Sequence, residues 1–498
     1  MLLYKDQDVQ DALPNFTSGA ALWKYFNKTK RIKHIPHIRT CRKWMRRYRE
    51  EQKKTIEHAD LKINAPLILT CINVNEEVDF YAYNLLSMYA ACIGAQIIVG
   101  IVGVVDKKNK YKIPTNCIIA NKRMSAGNIA ILGDEYVKSY RIDPCLGIER
   151  IHADENIKIV FHKHQALRSL PRLHDAPYKL IYSTGCMNVH GSTYSTLGAL
   201  VVDEFPDGAL DIRQIQIKNG TIFDKDISVS EVGISDGNSA EAIILGDVHF
   251  PNQAKYFYDN CYHLQQTFHP KRVILHDVYD FNVQNHHRMN DMYHQMVVDG
   301  QKVQEEFTKC LEAVNNTQRI FMNGAVQFVQ SNHENALWKW LDRSWTEPMK
   351  NFVRPCDVEF YSKLLYASIN LQVRTFGGLI QAYGAQLENE YETLDENATV
   401  CGITVGMHGH LGTNGARGTL KGLSRVSESC VTGHSHTPAI FRGHYSVGTS
   451  TPLKLNYNAS GPTTWCNAHC VIYPNGARTL LIYDERKPYI IGAKKAGA

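Results

Sequence analysis

Five short β-rich runs in the second half of the chain end in side chains that hold cations or move protons. Ala242-Ile243-Ile244-Leu245 leads into Gly246-Asp247-Val248-His249, and Arg272-Val273-Ile274-Leu275 leads into His276-Asp277-Val278-Tyr279-Asp280. Further on come Phe328-Val329-Gln330-Ser331-Asn332-His333-Glu334, Ile403-Thr404-Val405-Gly406-Met407-His408-Gly409 and Cys430-Val431-Thr432-Gly433-His434-Ser435-His436. The C-terminal ends of strands are where open α/β sheets place their sites. Carboxylate, amide and imidazole donors together suit hard or borderline divalent ions such as Mn²⁺, Fe²⁺ and Zn²⁺, and argue against a thiolate zinc site. Taken singly these signals are weak: an Asp-x-His in a chain with 22 His is close to background. The ordered series carries the weight.

That series resembles the signature of the calcineurin-like metallophosphoesterases: D-x-H, G-D-x-x-D, G-N-H-[D/E], a lone H-G, then G-H-x-H. The resemblance covers about residues 236–485. It implies an α/β fold, a four-layer β-sandwich flanked by helices, with two divalent ions, Mn²⁺ first and Fe²⁺, Zn²⁺ or Mg²⁺ as alternatives. Carried over position by position, Asp247, His249, Asp277 and His436 would hold one ion, Asp277 would bridge, and Asn332, His408 and His434 would complete the other. His333 stands where the family keeps a non-ligand histidine that protonates the leaving oxygen or stabilises the transition state, and Asp280 or Glu334 would orient it or a ligand. The chemistry needs this set: a phosphodiester repels hydroxide, and two ions roughly 3.5–4 Å apart both screen its charge and acidify a water. His276 and Ser331 depart from the pattern, standing where the signature has Gly, which would be free to take φ > 0.

These motifs need a layered α/β scaffold, and strand–helix alternation begins near Leu61. Leu67–Asn73 set against Ile243–His249 gives an offset of 176, which also sets Ile97–Ile101 against Val273–Asp277. Ile157–Gln165 resembles Val326–Glu334 at an offset of 169. On this reading Cys71, Asn73, Ile101 and Lys163 replace ligands, and residues 60–235 are a degenerate, noncatalytic copy of the catalytic region 236–498; the competing reading is an unrelated α/β domain. The close group Cys466, His469 and Cys470 reads as buried thiols on a strand rather than as a zinc site.

Residues 1–59 differ in character. Between Lys24 and Lys54, 13 Lys or Arg face two Glu, a local +11 that leaves −5 for the rest of a chain of net +6. Ala21, Leu22, Tyr25 and Phe26 form one apolar face, and Ile38, Cys41, Trp44, Met45 and Tyr48 a second beyond Pro36. The opposite face of the second helix carries Arg39, Arg42, Lys43 and Arg46, which suits a helix-turn-helix-like element on DNA phosphates; the alternative is a solvated basic helix serving assembly. Beside the metal motifs, His286-His287-Arg288 and a Gly-rich loop with Arg417 and Lys421 offer further contacts to a nucleic-acid backbone, or simply an irregular basic connection. The aromatic residues Trp338, Trp340, Trp345, Phe352, Phe360 and Tyr361 read mostly as core, with a minority free to stack on a substrate.

With 44% hydrophobic and 21% charged residues in 498, the chain is globular and of two to four domains. No apolar run reaches the ~18 residues of a membrane span, and the 13 scattered Cys fit a reducing compartment. The expected location is cytoplasmic, the host cytoplasm for a phage-encoded chain, with DNA as partner, no membrane, and a homo-oligomer allowed. The favoured function is a metal-dependent DNA nuclease, similar to phage metallophosphoesterases that degrade host DNA. A phosphoprotein phosphatase or small-molecule phosphodiesterase is the second reading, and a regulatory protein with a vestigial site the third.

Overall fold

The computed structural model describes residues 37, 39–44, 59–60 and 65–484, apart from 104–113, 115, 152–153, 190–194, 205–208, 285–290, 323, 371, 384–390, 427–428 and 456–457. The chain forms two compact units, Met1–Asp60 and Leu61–Ala498. In the first, residues 39–44 are helical, with Cys41 and Trp44 buried and Arg39, Arg42 and Lys43 exposed. The helix therefore has the two faces its sequence requires. Arg46 and the rest of the basic block lie outside the described residues.

The second unit is mixed α/β. Its six-stranded sheet runs Glu392–Leu394, Ala325–Val329, Arg272–His276, Ala242–Ile244, Asn467–Ile472, Arg478–Tyr483, the first four parallel and the last two antiparallel. These strands are apolar on both faces because both faces are covered. Ile243, Val273, Leu275 and Phe328 pack against helices that include Phe257–Phe268 and Val303–Ile320. Their alternate neighbours Ala242, Ile244 and Ile274 share a core with Val431, Ile440 and Tyr445 of a longer sheet. Cys466 and Cys470 are buried free thiols, the latter on the Asn467–Ile472 strand.

A five-stranded sheet runs Ile118–Ala120, Gln96–Val102, Leu67–Asn73, Gly198–Glu204, Leu210–Gln216, three parallel strands followed by two antiparallel ones. Helix Phe80–Ile93 covers its outer face through Ala82, Leu85, Leu86 and Tyr89. The helix starts where Asp79 accepts the Ala82 N–H at 2.9 Å and stops at Gly94, whose φ of 66° only glycine takes without penalty.

The long sheet has a mirrored order. From one side it passes Arg123–Ala126, Ile129–Leu132, Ile157–Val160, Lys179–Thr184 and Gln165–Leu170; from the other, Thr399–Val400, Ile403–Thr404, Cys430–Thr432, His444–Ser446 and Ala439–Phe441. The two series meet where Gln165–Leu170 pairs antiparallel with Ala439–Phe441, and their internal pairings match in sense, antiparallel or parallel, step by step. Cys71 bridges to Cys186 and Cys186 to Leu197, as Asp247 bridges to Thr449 and Thr449 to Asn467, which keeps the 176-residue offset at the strand ends. The offset of 169 does not hold. Ile159 pairs with Tyr182 as Val431 pairs with Tyr445, so Ile157–Val160 takes the place of Cys430–Thr432 and not of Ala325–Val329. Short apolar strands are too alike for spacing alone to choose between two partners.

Among the described residues no helix is long and apolar enough to cross a membrane. A buried ionic network ties together Leu210–Gln216, Ile222–Asp224 and the helix Phe80–Ile93: Arg213 grips Asp224 at 2.8 Å through both Nε and an η nitrogen, contacts Asp211, and Tyr89 donates to Asp224. Burial alone would raise the Asp224 carboxyl, but the Arg213 guanidinium outweighs it and holds it below the ordinary range. Its stabilising contribution is therefore present above the ordinary carboxylate pKa and is lost as pH falls through the lowered one. Arg213→Met should cost ~3–5 kcal/mol, because two buried carboxylates lose the guanidinium they share and keep only Tyr89 on Asp224 and Lys225 near Asp211. A denaturant midpoint equal to the wild type would show that the network carries no stability.

Candidate metal centre

The ladder between the strands Ala242–Ile244 and Arg272–His276 continues past their ends and carries both motif carboxylates. Val248 N–H donates to His276 O at 3.0 Å, His249 N–H to Asp277 O at 2.7 Å and Phe250 N–H to Val278 O at 2.9 Å. His249 and Asp277 adopt left-handed backbone, φ 47° and 48°, as do His434 at 70° and His436 at 53°. For non-glycine residues this costs roughly 1–2 kcal/mol each, so the loops are held by specific contacts. Glu334 Oε1 accepts Val278 N–H at 2.6 Å and Tyr279 N–H at 3.2 Å, while its Oε2 accepts Ser331 N–H at 3.0 Å and closes a capping box with the Ser331 hydroxyl. Burial and the neighbouring Asp277 push the Glu334 carboxyl up to about 7. Glu306 holds the next stretch, accepting Asn282 N–H at 2.6 Å and Val283 N–H at 3.1 Å.

The two departures from glycine acquire local reasons. Ser331, at φ −124°, is the N-cap of helix Asn332–Asp342, and His276 ends a strand; neither is among the residues with positive φ. The left-handed turn falls on Asp277 instead. Glycine is demanded elsewhere: a Cβ on Gly433 would lie 2.1 Å from Asp247 Oδ1.

Asp247, His249, Asp277 and His436 come together, all buried, with ligand atoms within 4.8 Å of one another. His436 Nε2 is 3.1 Å from Asp247 Oδ2 and 3.0 Å from His249 Nε2, and Asp277 Oδ2 is 3.4 Å from His249 Nε2. A second convergence adjoins it: His408 Nε2 is 3.3 Å from Asp277 Oδ2 and 3.0 Å from Asn332 Oδ1, which is also 3.0 Å from His434 Nδ1. Asp277 Oδ2 thus lies between the two groups.

The fit to cations rests on partners the protein does not provide. Asp247 Oδ1 and Asp277 Oδ1 are buried without a hydrogen-bond partner among the described residues, which for a carboxylate is costly unless a cation is present. His249 Nδ1 is 3.0 Å from Asp280 Oδ1, an acceptor, so Nδ1 carries hydrogen and Nε2 faces the cluster. Burial works against charge on His249, but Asp277, Asp280 and Asp247 together push it up to about 9. Burial would likewise raise Asp277, yet His408, His333 and His249 hold it well below the usual carboxylate range. The cluster is a buried set of carboxylate and imidazole donors that could hold metal ions.

His333 flanks this cluster, its ring 4.5 Å from that of His249 and partly exposed. Its Nδ1 lies 2.9 Å from the Asp280 carbonyl, which only accepts, so Nδ1 carries hydrogen and Nε2 is free for proton transfer. Asp280 Oδ1 lies 3.3 Å from His333 Nδ1, and its Oδ2 accepts from Asn252 at 2.7 Å. Glu334 reaches the backbone amides of Val278 and Tyr279, next to Asp277, rather than His333. Arg417 and Lys421 are exposed. His286, His287 and Arg288 lie outside the described residues. Trp338, Trp340, Phe352, Phe360 and Tyr361 are core residues, while Trp345 is 72% exposed.

Sequence reading missed several neighbours. Trp465 stands edge-on to His436 at 4.1 Å, and His410 lies 5.4 Å from His408 between ring centroids. The doublet His408-Gly409-His410 is a visible signal for the latter; nothing in sequence marks Trp465, Asn252 or Glu306.

The corresponding place in the first half is built differently. Cys71 and Asn73 stand for Asp247 and His249, while His162 and His164 fall three and five residues beyond Ile159, as His434 and His436 fall beyond Val431. Arg123 follows Ala120 by three residues, as Asn332 follows Val329, and Asp134 follows Ala130 by four, as His408 follows Thr404. Arg123 and Asp134 form a 3.2 Å ion pair, and Lys163, at the position of Ser435 rather than Asn332, pairs with Glu76 at 3.1 Å.

The chain is similar to Protein A1 of Escherichia phage T5, 26% identical in an alignment 477 positions long, gaps included, that covers 87% of this chain and 84% of the phage protein. No family model matches the chain, and no solved structure does. The similarity ties the chain to a bacteriophage protein.

Proposed function

We propose that the protein is a calcineurin-like metallophosphoesterase that hydrolyses phosphodiester bonds of DNA at a two-metal centre, acting in a phage-infected host's cytoplasm on host DNA. The observation that carries this reading is the pair of donor groups sharing Asp277, with His333 beside them. Two divalent ions, Mn²⁺ by the mixed donor set, would supply positive charge opposite the phosphoryl oxygens and an acidified water. Asp247, His249, Asp277 and His436 would hold one, and Asp277, Asn332, His408 and His434 the other. Asp280 keeps His249 and His333 in the required tautomers. Water would attack phosphorus and release its proton to bulk solvent, the ester P–O bond would break, and the departing oxygen would take a proton from Nε2 of the imidazolium form of His333, which solvent would then restore.

We read the first half as a noncatalytic copy of the second, within the same layered architecture. The mirrored strand order supports this, and the Arg123–Asp134 ion pair supplies fixed charge where the other half places Asn332 and His408. Similarity to a phage protein and the exposed cations on helix 39–44 favour DNA over a phosphoprotein.

Anomalous scattering at the Mn edge should show two ions near Asp277 and none near Cys71; density near Cys71 and Asn73 would reverse the roles of the halves. His333→Ala should keep both ions and lower turnover by roughly 10²–10⁴, whereas Asp277→Ala should lose metal and activity together. Wild-type activity in the His333 variant would remove it from the mechanism.

Replacing Arg39, Arg42 and Lys43 together by Ala should weaken binding to long DNA and reduce its log–log salt slope by about 0.9 for each phosphate no longer neutralised. Hydrolysis of bis-p-nitrophenyl phosphate should stay unchanged. An unaltered salt slope would mean that this helix does not touch DNA and would favour a phosphatase.

A further inference from the structure

The residue that most departs from the metallophosphoesterase pattern, His276, is fully buried against the centre. Its Nδ1 lies 3.3 Å from His408 Nδ1, with ring centroids 5.5 Å apart and planes inclined by 33°. Its ligand nitrogen also lies within 4.8 Å of the donor atoms of both Asp247 and His408. Space for the ring exists because position 433 is glycine: a Cβ there would lie 3.2 Å from His276 Cγ as well as on Asp247 Oδ1.

A neutral imidazole has one N–H and one lone pair. His408 directs Nε2 at Asp277 and Asn332, so for that nitrogen to offer a lone pair the ring proton must sit on Nδ1. A buried Nδ1–H needs an acceptor. For His249 the acceptor is Asp280; for His408 the group in reach is His276 Nδ1. His434 differs, since it turns Nδ1 itself to Asn332. A glycine at 276 would leave His408 free to place its proton on Nε2 or to rotate.

We propose that His276, with its own proton on Nε2, which has no hydrogen-bond partner among the described residues, is a positioning residue that accepts the His408 Nδ1–H and so fixes His408 in the tautomer that binds the ion on the Asn332, His408 and His434 side. The inference rests on the two-metal reading above. His276 is thus to the second ion's histidine what Asp280 is to the first's, with a neutral acceptor in place of a carboxylate. A carboxylate at 276 would add a third buried negative charge beside Asp247 and Asp277, which the imidazole avoids.

The test titrates full-length protein with Mn²⁺ by calorimetry, comparing wild type, His276→Asn and His276→Leu, with circular dichroism to confirm folding. The Asn side-chain oxygen stands at the same remove from the backbone as His Nδ1 and accepts a hydrogen bond; Leu fills the space and accepts none. Wild type and His276→Asn should bind two ions with affinities within a few-fold, while His276→Leu should bind one ion normally and the other about 10–100-fold more weakly, the usual worth of an outer partner of a metal ligand. Wild-type affinity for both ions in His276→Leu would overturn the inference. So would equal losses in the Asn and Leu variants, which would make His276 a packing residue. A wild type that binds no ion would instead sink the two-metal reading, and this inference with it.

Discussion

The constraint on which the structure turns is the burial of two carboxylates, Asp247 and Asp277, side by side with four imidazoles aimed at the space between them. Desolvation alone would drive the acids neutral. The imidazoles oppose that, yet Asp247 Oδ1 and Asp277 Oδ1 still have no hydrogen-bond partner among the described residues. The remaining demand is for positive charge, and much of the surrounding architecture keeps the donors from relaxing away from one another.

The backbone is held accordingly. Left-handed φ at His249, Asp277, His434 and His436 turns side chains from adjacent strand ends toward one point. The inter-strand ladder through Val248, His249 and Phe250 and the grips of Glu334 and Glu306 on the loop after Asp277 fix those turns. Glu334 also starts the helix that presents Asn332 and His333, so one carboxylate sets the spacing between Asp277 and His333. Both acids reach backbone amides and so determine where the cluster's side chains stand.

The two halves apply the same strand plan to different ends. In one, Asp247 and Asp277 each keep a carboxylate oxygen without a hydrogen-bond partner among the described residues. In the other, Arg123 and Lys163 bring their own charge and meet Asp134 and Glu76 directly. On the proposed reading the first half retains the scaffold without the demand for metal, and its strand Gln165–Leu170 completes the sheet that ends at Ala439–Phe441. The duplication then serves the active half by covering what would otherwise be an open sheet edge.

The sequence by itself determined the donor set. The order Asp-x-His, Asp, Asn-His, His, His-x-His at the ends of apolar runs is local information, and all seven residues meet in the structure. The α/β class and the 176-residue offset were legible for the same reason, because strands covered on both faces are written as continuous apolar runs. Register and direction settled the rest. Spacing set Ile157–Gln165 against Val326–Glu334, whereas strand pairing puts Ile157–Val160 in the place of Cys430–Thr432. Sequence left open whether Glu334 faces His333 or a ligand; successive residues on a helix point about 100° apart, and its carboxylate turns onto the loop that follows Asp277. The contact of His276 with His408 joins residues 132 apart, a relation that no local pattern encodes and that the packing of one sheet against another creates.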